Sequence, residues 1–464
     1  MSIKITKMNR VENAQALAAR FQELGYKIPV SDDFSSLSAP LQLTDSLKLG
    51  NRFCILPMEG WDAETDGQPS ELLRRRWLNF AAGGAGLLWG CEAAAVVADV
   101  RANPQQLIIN KATAPAIAQL LREVRDVHDS HSDSPVVAGL QLTHSGRWSR
   151  PNGPFEPRVM YSHTELDTRV GVEKDSVLTD DELDELAETF IDRAELANQC
   201  GFEFIDFKHC HGYLAHEMLS AYDRDGRYGG SFENRTRFTR QVLEGIRQRC
   251  PELEVGVRLS IYDFLPFKPG QNGIGESVAG EARFGANHSG LGIDLTESFK
   301  FIELLQSFGV KMLCVTAGSP YYNPHIQRPA LYPPSDGYQP PEDPLAGVGR
   351  MLSATSDIKR AFPDLKVVGT GYSYLQDFLP NVAAGLVEAN LVDAIGLGRM
   401  ALSYPDMPTD IMQGKTLARK KICRTFSDCT TAPRNGLVSG CYPLDPYYKK
   451  RPEASRLKII KKQG

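Results

Sequence analysis

The chain has 464 residues, of which 42% are hydrophobic and 23% are charged, a composition typical of ordinary globular proteins. Its formal net charge of −5 and its sequence pI of about 6.0 give no electrostatic reason to expect binding to nucleic acid or to an anionic membrane. No apolar run approaches the roughly 20 residues that cross a bilayer.

The N-terminus and the cysteines both predict a reducing compartment. The stretch MSIKITKMNRVENAQ lacks the apolar core of a secretory signal. Nine cysteines are scattered along the chain, and several lie in apolar runs such as RFCIL and KMLCVT, where a reduced cysteine behaves as a small hydrophobic residue. An odd, unclustered set argues against a disulfide framework. We therefore expect a cytoplasmic protein.

Short apolar or β-branched runs alternate with amphipathic helical patterns from residue 50 to residue 415. Eight strands are predicted, at residues 52–58, 85–93, 135–144, 202–209, 254–260, 311–318, 366–371 and 392–399. The helical patterns between them lie at residues 70–84, 114–127, 179–201, 235–250, 296–309, 345–362 and 374–390. The third begins with TDDE, a capping-box signature.

Eight strand–helix units predict an α/β fold of the (β/α)8 TIM-barrel class, in which a parallel sheet closes on itself. An open doubly wound sheet is the alternative. That fold would carry a GxGxxG phosphate loop after its first strand, where PMEGWDA stands in this chain.

Three segments lie outside the barrel predicted for residues 50–415. Residues 1–49 form an N-terminal extension with one predicted helix, and residues 416–464 form a basic tail that contains cysteines. Residues 261–293 form an excursion after the fifth strand, with several aromatic side chains and seven glycines. Long excursions of this kind often cover active sites, so we expect a lid, with a solvated surface insertion as the alternative.

The ends of the last two strands carry glycines and an arginine. In barrel enzymes the active site lies at the C-terminal ends of the strands, and the loops after strands seven and eight commonly hold a phosphate. VVGTG supplies Gly369 and Gly371, and GLGR supplies Gly398 and Arg399. Glycine backbone amides can approach phosphate oxygens, and arginine is a bidentate donor. These residues together predict a phosphorylated cofactor.

A polar cluster, KHCHGYL, follows the fourth predicted strand at residues 208–214. Its histidines and cysteine are atoms that zinc accepts, but HCH is not a standard ligand spacing, and no metal is predicted. Strand alternation places Lys208 on the inward face and His209 on the outward face. His209 and Cys210 are therefore expected to be structural.

The segment that begins in this cluster, HGYLAHEMLSAYDRDGRYGGSFENRTRF at residues 211–238, resembles the strand-four signature of the old yellow enzyme family of FMN-dependent oxidoreductases. The resemblance extends over about residues 45–415 and includes PM, GCEA, LQLTHSGR, GVRLS and the two glycine-rich elements near the end of the barrel. It implies FMN as the cofactor and NADH or NADPH as the reductant.

The resemblance also implies positions against the flavin. Those assigned to the ring, its pyrimidine edge and the phosphate are Pro57, Met58, Ala93, Gln141, Arg258, Gly369, Gly371, Gly398 and Arg399. Arg258 would face N1 and O2, where negative charge collects on the reduced flavin. Tyr213 matches the tyrosine that protonates the substrate carbon, and His211 matches a residue that hydrogen-bonds an activating carbonyl.

Two residues depart from the pattern of relatives that reduce enones. Glu59 stands where relatives often carry Thr or Cys, and Lys208 stands where they usually carry His. We hypothesise that these two residues act together in the site, as a pair or as separate acid and base, and that simple cyclic enones are poor substrates. The alternative is that Glu59 faces solvent and Lys208 merely replaces a hydrogen-bond donor.

The tail also departs from larger relatives, some of which hold an iron–sulfur cluster through C-x2-C-x3-C-x11-C after the barrel. Cys429 and Cys441 keep the last gap of this motif, but Ile422 and Thr425 occupy the two preceding positions. Cys423 is one residue out of register. A cluster needs four thiolates or a close substitute, so none is predicted.

The predicted function is NADH- or NADPH-driven reduction of an electron-poor, α,β-unsaturated small molecule by hydride transfer from flavin N5. One alternative is a flavin-dependent dehydrogenase of an amine or alcohol, and another is a flavin-binding protein without turnover. No nucleic-acid or membrane partner is predicted. The physiological substrate, the nicotinamide preference and the oligomeric state, including a homo-oligomer, stay open.

Overall fold

The structure is a computed structural model that describes residues 4–281 and 283–463. Single residues or short stretches of the predicted extension, excursion and tail lie outside the described residues, namely 1–3, 282 and 464.

Eight parallel strands close into a barrel. In chain order, β1 to β8 are Phe53–Ile55, Leu87–Leu88, Val137–Thr143, Phe204–His209, Glu254–Ser260, Met312–Thr316, Lys366–Gly369 and Ala394–Leu397. Each strand pairs with the next, and β8 pairs with β1, which closes the sheet. The predicted (β/α)8 barrel is confirmed.

The barrel helices follow their strands as predicted. Helices α1 to α7 are Glu71–Ala82, Ala114–Asp129, Asp180–Cys200, Arg237–Arg249, Thr296–Ser307, Pro344–Ala361 and Leu379–Glu388, and α8 and α9, both after β8, are Arg399–Ser403 and Met407–Met412. Thr179 and Glu182 cap α3 reciprocally, as TDDE predicts.

The second strand position differs from its prediction because the chain bends within it. After β2 the chain turns through Gly90 and Cys91, whose φ is +44°, and continues as a second segment, Ala93–Ala95, that pairs with β3. A Cβ at Gly90 would stand 2.7 Å from Pro57 Cγ and 2.9 Å from Gln141 Cβ, so this close approach requires glycine.

The interior of the barrel is filled from its N-terminal end. Val137, Phe204 and Met312, the first residues of β3, β4 and β6, join Trp89 in a buried apolar cluster. Leucines of an antiparallel hairpin, formed by Leu41–Gln42 and Lys48–Leu49, belong to the same cluster. The hairpin therefore seals the N-terminal end, and the C-terminal end remains for a site.

Shorter elements decorate this frame. The remaining α-helices are Ala14–Glu23, Ser35–Ser38, Thr164–Val170, Leu214–Met218, Phe232–Arg235, Pro324–Gln327, Asp428–Arg434, Pro446–Lys449 and Glu453–Gln463. The 3-10 helices are Met8–Arg10, Ala98–Val100, Gly146–Trp148, Lys174–Ser176 and Tyr372–Phe378. Among the described helices, none combines the length and apolarity that crossing a membrane requires.

The excursion at residues 261–293 contains a small hairpin, Phe267–Pro269 with Gly275–Ser277. Two of its aromatic side chains, Phe264 and Phe284, are buried in the core between barrel and helices, and Phe284 meets Phe301 of α5 edge-on at 6.2 Å. A lid role stays a prediction, but these side chains serve the core.

The tail folds around a small apolar cluster of its own. Its buried members include Leu437, Tyr442, Tyr448 and Leu457. It is tied to the barrel by polar contacts, among them an ion pair of 3.0 Å between Arg75 of α1 and Asp445. The tail therefore lies against the C-terminal end of the barrel.

Candidate functional site

A cavity of about 240 Å³ opens at the C-terminal end of the barrel, between the strand ends and the tail. Every strand position contributes to its lining, and the contributors used below are Pro57, Met58, Glu59, Ala93, Gln141, Lys208, His211, Tyr213, Arg258, Thr316, Gly371, Gly398 and Arg399. The tail contributes the opposite wall, with Cys429, Thr430, Arg434, Ser439, Gly440, Cys441, Asp445 and Tyr448.

All the predicted site residues line this cavity except Gly369. A Cβ at Gly369 would meet the hydroxyl of Tyr372 at 2.6 Å, so this glycine accommodates a neighbouring side chain. The phosphate role of Gly369 therefore stays a prediction, whereas Gly371, whose φ is +97°, lines the cavity. Gly396 of β8 also reaches the cavity.

The register of three neighbouring strands aligns a row of polar groups across the barrel. Ala93 lies opposite Gln141, and Gln141 lies opposite Asp206. The Gln141 amide donates to Asp206 Oδ2 at 2.5 Å, while Asp206 Oδ1 accepts the Arg258 backbone N–H at 2.7 Å. Burial raises the pKa of Asp206 to about 6. The Gln141 carbonyl oxygen remains for a donor in the cavity.

Arg258 brings an unsatisfied positive group to the cavity. It lies opposite Lys208 in the β4–β5 register, is 6% exposed, and has a buried Nε with no partner among the described residues. An unpaired buried guanidinium is costly, so this position favours an electron-rich partner. The edge of a flavin at N1 and O2 is such a partner.

The turn after β4 projects His211 and Tyr213 into the cavity. His211 and Gly212 have φ of +66° and +74°, which bends the chain sharply. His211 Nε2 lies 3.3 Å from the Thr316 hydroxyl and 3.2 Å from Gln327 Nε2. Burial, followed by the charge of Arg258, holds the pKa of His211 well below its usual range, so the ring is neutral.

Tyr213 lies between the two departures from the family pattern. Its hydroxyl donates to Glu59 Oε2 at 3.3 Å and lies 3.0 Å from the Tyr321 hydroxyl. The Lys208 ammonium lies 3.7 Å from the centroid of its ring. Glu59 and Lys208 form no ion pair in the described chain, and their joint action, as a pair or as separate acid and base, stays a prediction. The two residues meet through Tyr213.

Burial sets the protonation of this group. It raises the pKa of Glu59, against the attraction of Lys208, and it lowers the pKa of Lys208, against the attraction of Glu59. Burial and then the negative charge of Glu59 raise the pKa of Tyr213 well above its usual range. Tyr213 therefore holds its proton and can act as an acid.

At the other end of the cavity, backbone and guanidinium groups stand open. A Cβ at Gly398 would make only ordinary contacts of 3.6 Å, to Leu56 Cδ1 and Met58 Sδ. Arg399 Nη2 donates to the Pro329 carbonyl at 2.8 Å, whereas its Nη1 is buried without a partner among the described residues. These donors fit an anionic group such as a phosphate.

The residues outside the cavity have structural partners. His209 Nε2 lies 2.8 Å from the Thr239 hydroxyl of α4, on the outer face of the barrel, as strand alternation predicts. In the tail, Ile422 is buried and the Thr425 hydroxyl accepts a hydrogen bond from the Leu331 amide. The described residues include no cluster of three or more side chains suited to a metal ion.

Two parts of the cavity wall were not predicted from the sequence. The loop after β6 supplies Tyr321, Gln327 and Arg328, and the tail supplies a whole wall. The first carries a usable signal, because every strand end of a barrel faces the same site and SPYYNPHIQR follows β6 directly. The tail carries no such signal, since the periodicity of its sequence does not indicate which part of the barrel it contacts.

Comparisons with family models and with known proteins point to one family. Residues 36–281 match the family described as NADH:flavin oxidoreductase / NADH oxidase. An NADPH dehydrogenase of Clostridium acetobutylicum is 30% identical over 220 residues, which are 47% of this chain and 61% of that protein. A cinnamate reductase of Clostridium sporogenes is 24% identical over 394 residues, covering 83% of this chain and 54% of that protein. Both matches span less than two thirds of the relative.

A solved structure agrees in fold. The complex of 2-naphthoyl-CoA reductase with 2-naphthoyl-CoA has a TM-score of 0.68 to this chain at 16% identity. The superposition covers 90% of this chain and 58% of that one. At this identity the likeness concerns the fold alone.

Proposed function

Because the chain belongs to the NADH:flavin oxidoreductase / NADH oxidase family, we propose that it is an FMN-dependent oxidoreductase. Its reductant is NADH or NADPH, and its substrate is a small molecule with an electron-poor C=C bond. The observation that carries this proposal is Arg258, whose buried, unpartnered guanidinium nitrogen lies in the same cavity as the open donors of Arg399.

The cavity residues fit FMN. Arg258 and the Gln141 carbonyl suit the polar edge of the flavin ring. The flavin ring would pack against Pro57, Met58 and Ala93. Gly371, Gly398 and Arg399 suit the phosphate. When bound, FMN would supply the redox chemistry, namely hydride transfer between the nicotinamide and the substrate.

The side chains around the turn after β4 supply polarisation and a proton. His211, with Thr316 and Gln327 beside it, offers hydrogen bonds to a carbonyl that activates the double bond. Tyr213 delivers a proton to the second carbon, since its hydroxyl lines the cavity and stays protonated. Arg258 stabilises negative charge that collects opposite it.

Lys208 favours an anionic substrate. Its ammonium faces the cavity without a carboxylate partner in the described chain, above the ring of the proposed proton donor. The name of one relative, cinnamate reductase, denotes action on an unsaturated carboxylate, which is the chemistry that an ammonium beside Tyr213 would favour. We therefore assign α,β-unsaturated acids or their derivatives, rather than simple cyclic enones, as the substrate class.

Anaerobic mixing of the FMN-loaded protein tests this proposal. Rapid bleaching of the flavin by NADH or NADPH, followed by reoxidation with cinnamate and slow reoxidation with cyclohexenone, is expected. Efficient reduction of cyclohexenone would contradict the substrate class. Bleaching by an amine or alcohol instead of a nicotinamide would identify a dehydrogenase, and no bleaching by any of them would identify a flavin-binding protein without turnover.

A further inference from the structure

Arg328, in the loop after β6, has no role in the function described so far. It follows the short helix Pro324–Gln327 and lines the cavity. Its Nη1 donates to the Thr430 hydroxyl of the tail. Its Nε and Nη2 are buried and have no hydrogen-bond partner among the described residues. Two donor nitrogens of one guanidinium thus lack a partner in a residue that lines the cavity.

Arg399 presents a second open guanidinium beside the same loop. Its Nη2 donates to the carbonyl of Pro329, the residue after Arg328, at 2.8 Å, and its Nη1 is buried without a partner in the described chain. Arg399 is the first residue of α8 and Arg328 lies in the loop after β6, and this hydrogen bond brings the two segments together.

The local charge is positive and uncompensated. Arg434 is nearby, but its guanidinium is paired with Asp336 at 2.9 Å. Neither Arg328 nor Arg399 forms an ion pair within the described residues. Burial and then the charges of Arg434 and Arg399 lower the pKa of Arg328 to about 9. Both side chains are half-buried and lie close together, an arrangement that an anion between them would stabilise.

We propose that Arg328 is a second phosphate-binding arginine, which together with Arg399 holds the phosphate of FMN. A phosphate monoester offers three acceptor oxygens and close to two negative charges, which suit the three unpartnered nitrogens of the two positively charged side chains. Arg399 is the first residue of α8 and follows Gly398 in the loop after β8, where barrel enzymes commonly hold a phosphate. The assignment rests on the proposed function, because it takes FMN as the ligand.

The tail takes part in this site through Thr430. The Thr430 hydroxyl accepts from Arg328 Nη1 and so fixes the guanidinium, whose other two nitrogens have no partner in the described chain. Thr430 is thus a positioning residue for the phosphate site. The Thr430→Val variant keeps the shape of the side chain, and we expect it to weaken FMN binding less than the loss of Arg328 does.

The affinity of the apoprotein for FMN and for riboflavin, measured by flavin fluorescence, tests the proposal, because only FMN carries the phosphate. In the full chain, Arg328→Met should weaken FMN binding by about 10- to 100-fold, the loss of a charge-assisted contact, and leave riboflavin binding nearly unchanged. Arg328→Lys should restore part of the preference for FMN. Arg75→Met is the matched control, since Arg75 also lines the cavity but is paired with Asp445. This variant should prefer FMN over riboflavin to the same extent as the parent.

The outcomes separate the two proposals. A parent apoprotein that binds neither flavin would overturn the proposed function itself. A parent that binds FMN, with an unchanged FMN preference in Arg328→Met, would overturn only the role of Arg328. Equal weakening of both flavins would also overturn it, because it would indicate a general structural effect. The FMN-loaded Arg328→Met variant could also lose binding of inorganic phosphate while the protein keeps its preference for FMN over riboflavin. That result would overturn the proposal and assign Arg328 to a separate anion site.

Discussion

Tyr213 couples two charged side chains that the sequence places far apart. Its hydroxyl donates to Glu59, and the Lys208 ammonium stands over its ring. A carboxylate near the flavin opposes the arrival of electrons, whereas an ammonium favours it. Because one phenol contacts both groups, a change to either should alter the surroundings of the other.

The variants Glu59→Gln, Lys208→Met and their combination test this coupling. Glu59→Gln removes a negative charge and should raise the flavin reduction potential, while Lys208→Met removes a positive charge and should lower it. We expect the double variant to differ from the sum of the single effects by more than about 0.5 kcal/mol, as measured by the potential and the reduction rate. Additive effects would mean that Tyr213 transmits nothing between them.

Tyr213→Phe tests the proton donor. The variant should slow reoxidation by the substrate about 100-fold or more, because general acids typically contribute at least that factor, and leave reduction by the nicotinamide nearly unchanged. Tyr321→Phe, which removes only the hydroxyl 3.0 Å from that of Tyr213, is the control and should have a smaller effect. Equal slowing of both half-reactions in Tyr213→Phe would contradict a role as acid.

Glu92 should make stability depend on pH. It is buried beside Arg76, and burial raises its pKa from the ordinary 4.5 to about 7. The folded state thus binds this proton more tightly than the unfolded state does, so the resulting stability is complete below about pH 4.5 and is lost as pH rises to about 7. Between about pH 5 and pH 8, the thermal midpoint of the parent should fall relative to that of Glu92→Gln. A constant difference between the two midpoints would refute this.

At the residue scale, sequence motifs predicted which residues line the cavity but not which of their side chains contact each other. Gly371 and Arg399 could be predicted because short motifs at strand ends fix them near the site. The Tyr213–Glu59 contact could not, since it depends on the left-handed turn at His211. The motif also does not show that Gly369 faces the hydroxyl of Tyr372 while Gly371 lines the cavity.

At the scale of elements, the sequence located the strands and missed the interruption of β2. Periodicity predicts one run over residues 85–93, but the chain leaves the strand at Gly90 so that it can pass Pro57 and Gln141 closely. That contact is made between three separate strand positions and leaves no local signal. Its consequence is functional, since it delivers Ala93 to the cavity wall.

The excursion after β5 offers a test that separates core from lid. Phe284 is fully buried and meets Phe301 edge-on, so Phe284→Ala should destabilise the protein by about 3–5 kcal/mol through lost burial and a cavity. Flavin affinity should not change, because none of the described residues of the excursion lines the cavity. Unfolding and flavin titrations measure the two effects.

Leu291→Ala is the matched control for that variant. Leu291 lies in the same excursion but is 45% exposed, so its truncation should change stability by no more than about 0.5 kcal/mol. A large loss of flavin or substrate affinity in Phe284→Ala, without loss of stability, would support the lid role and contradict the role in the core.

At the scale of the whole molecule, the alternation of strands and helices was sufficient to predict the barrel, because eight parallel βα units admit few other topologies. The docking of the tail was not predictable. It depends on single long-range contacts, such as Arg75 with Asp445 and Arg328 with Thr430, whose partners lie far apart in sequence. The tail nonetheless completes the cavity.

The central claim, that this cavity holds FMN, is tested most directly by the flavin content of the purified 464-residue chain. The protein should be yellow and should release about one FMN per chain on denaturation, because Arg258, Arg328 and Arg399 line the cavity and carry buried donors that lack a partner in the described chain. A colourless protein that takes up no added FMN would contradict the claim.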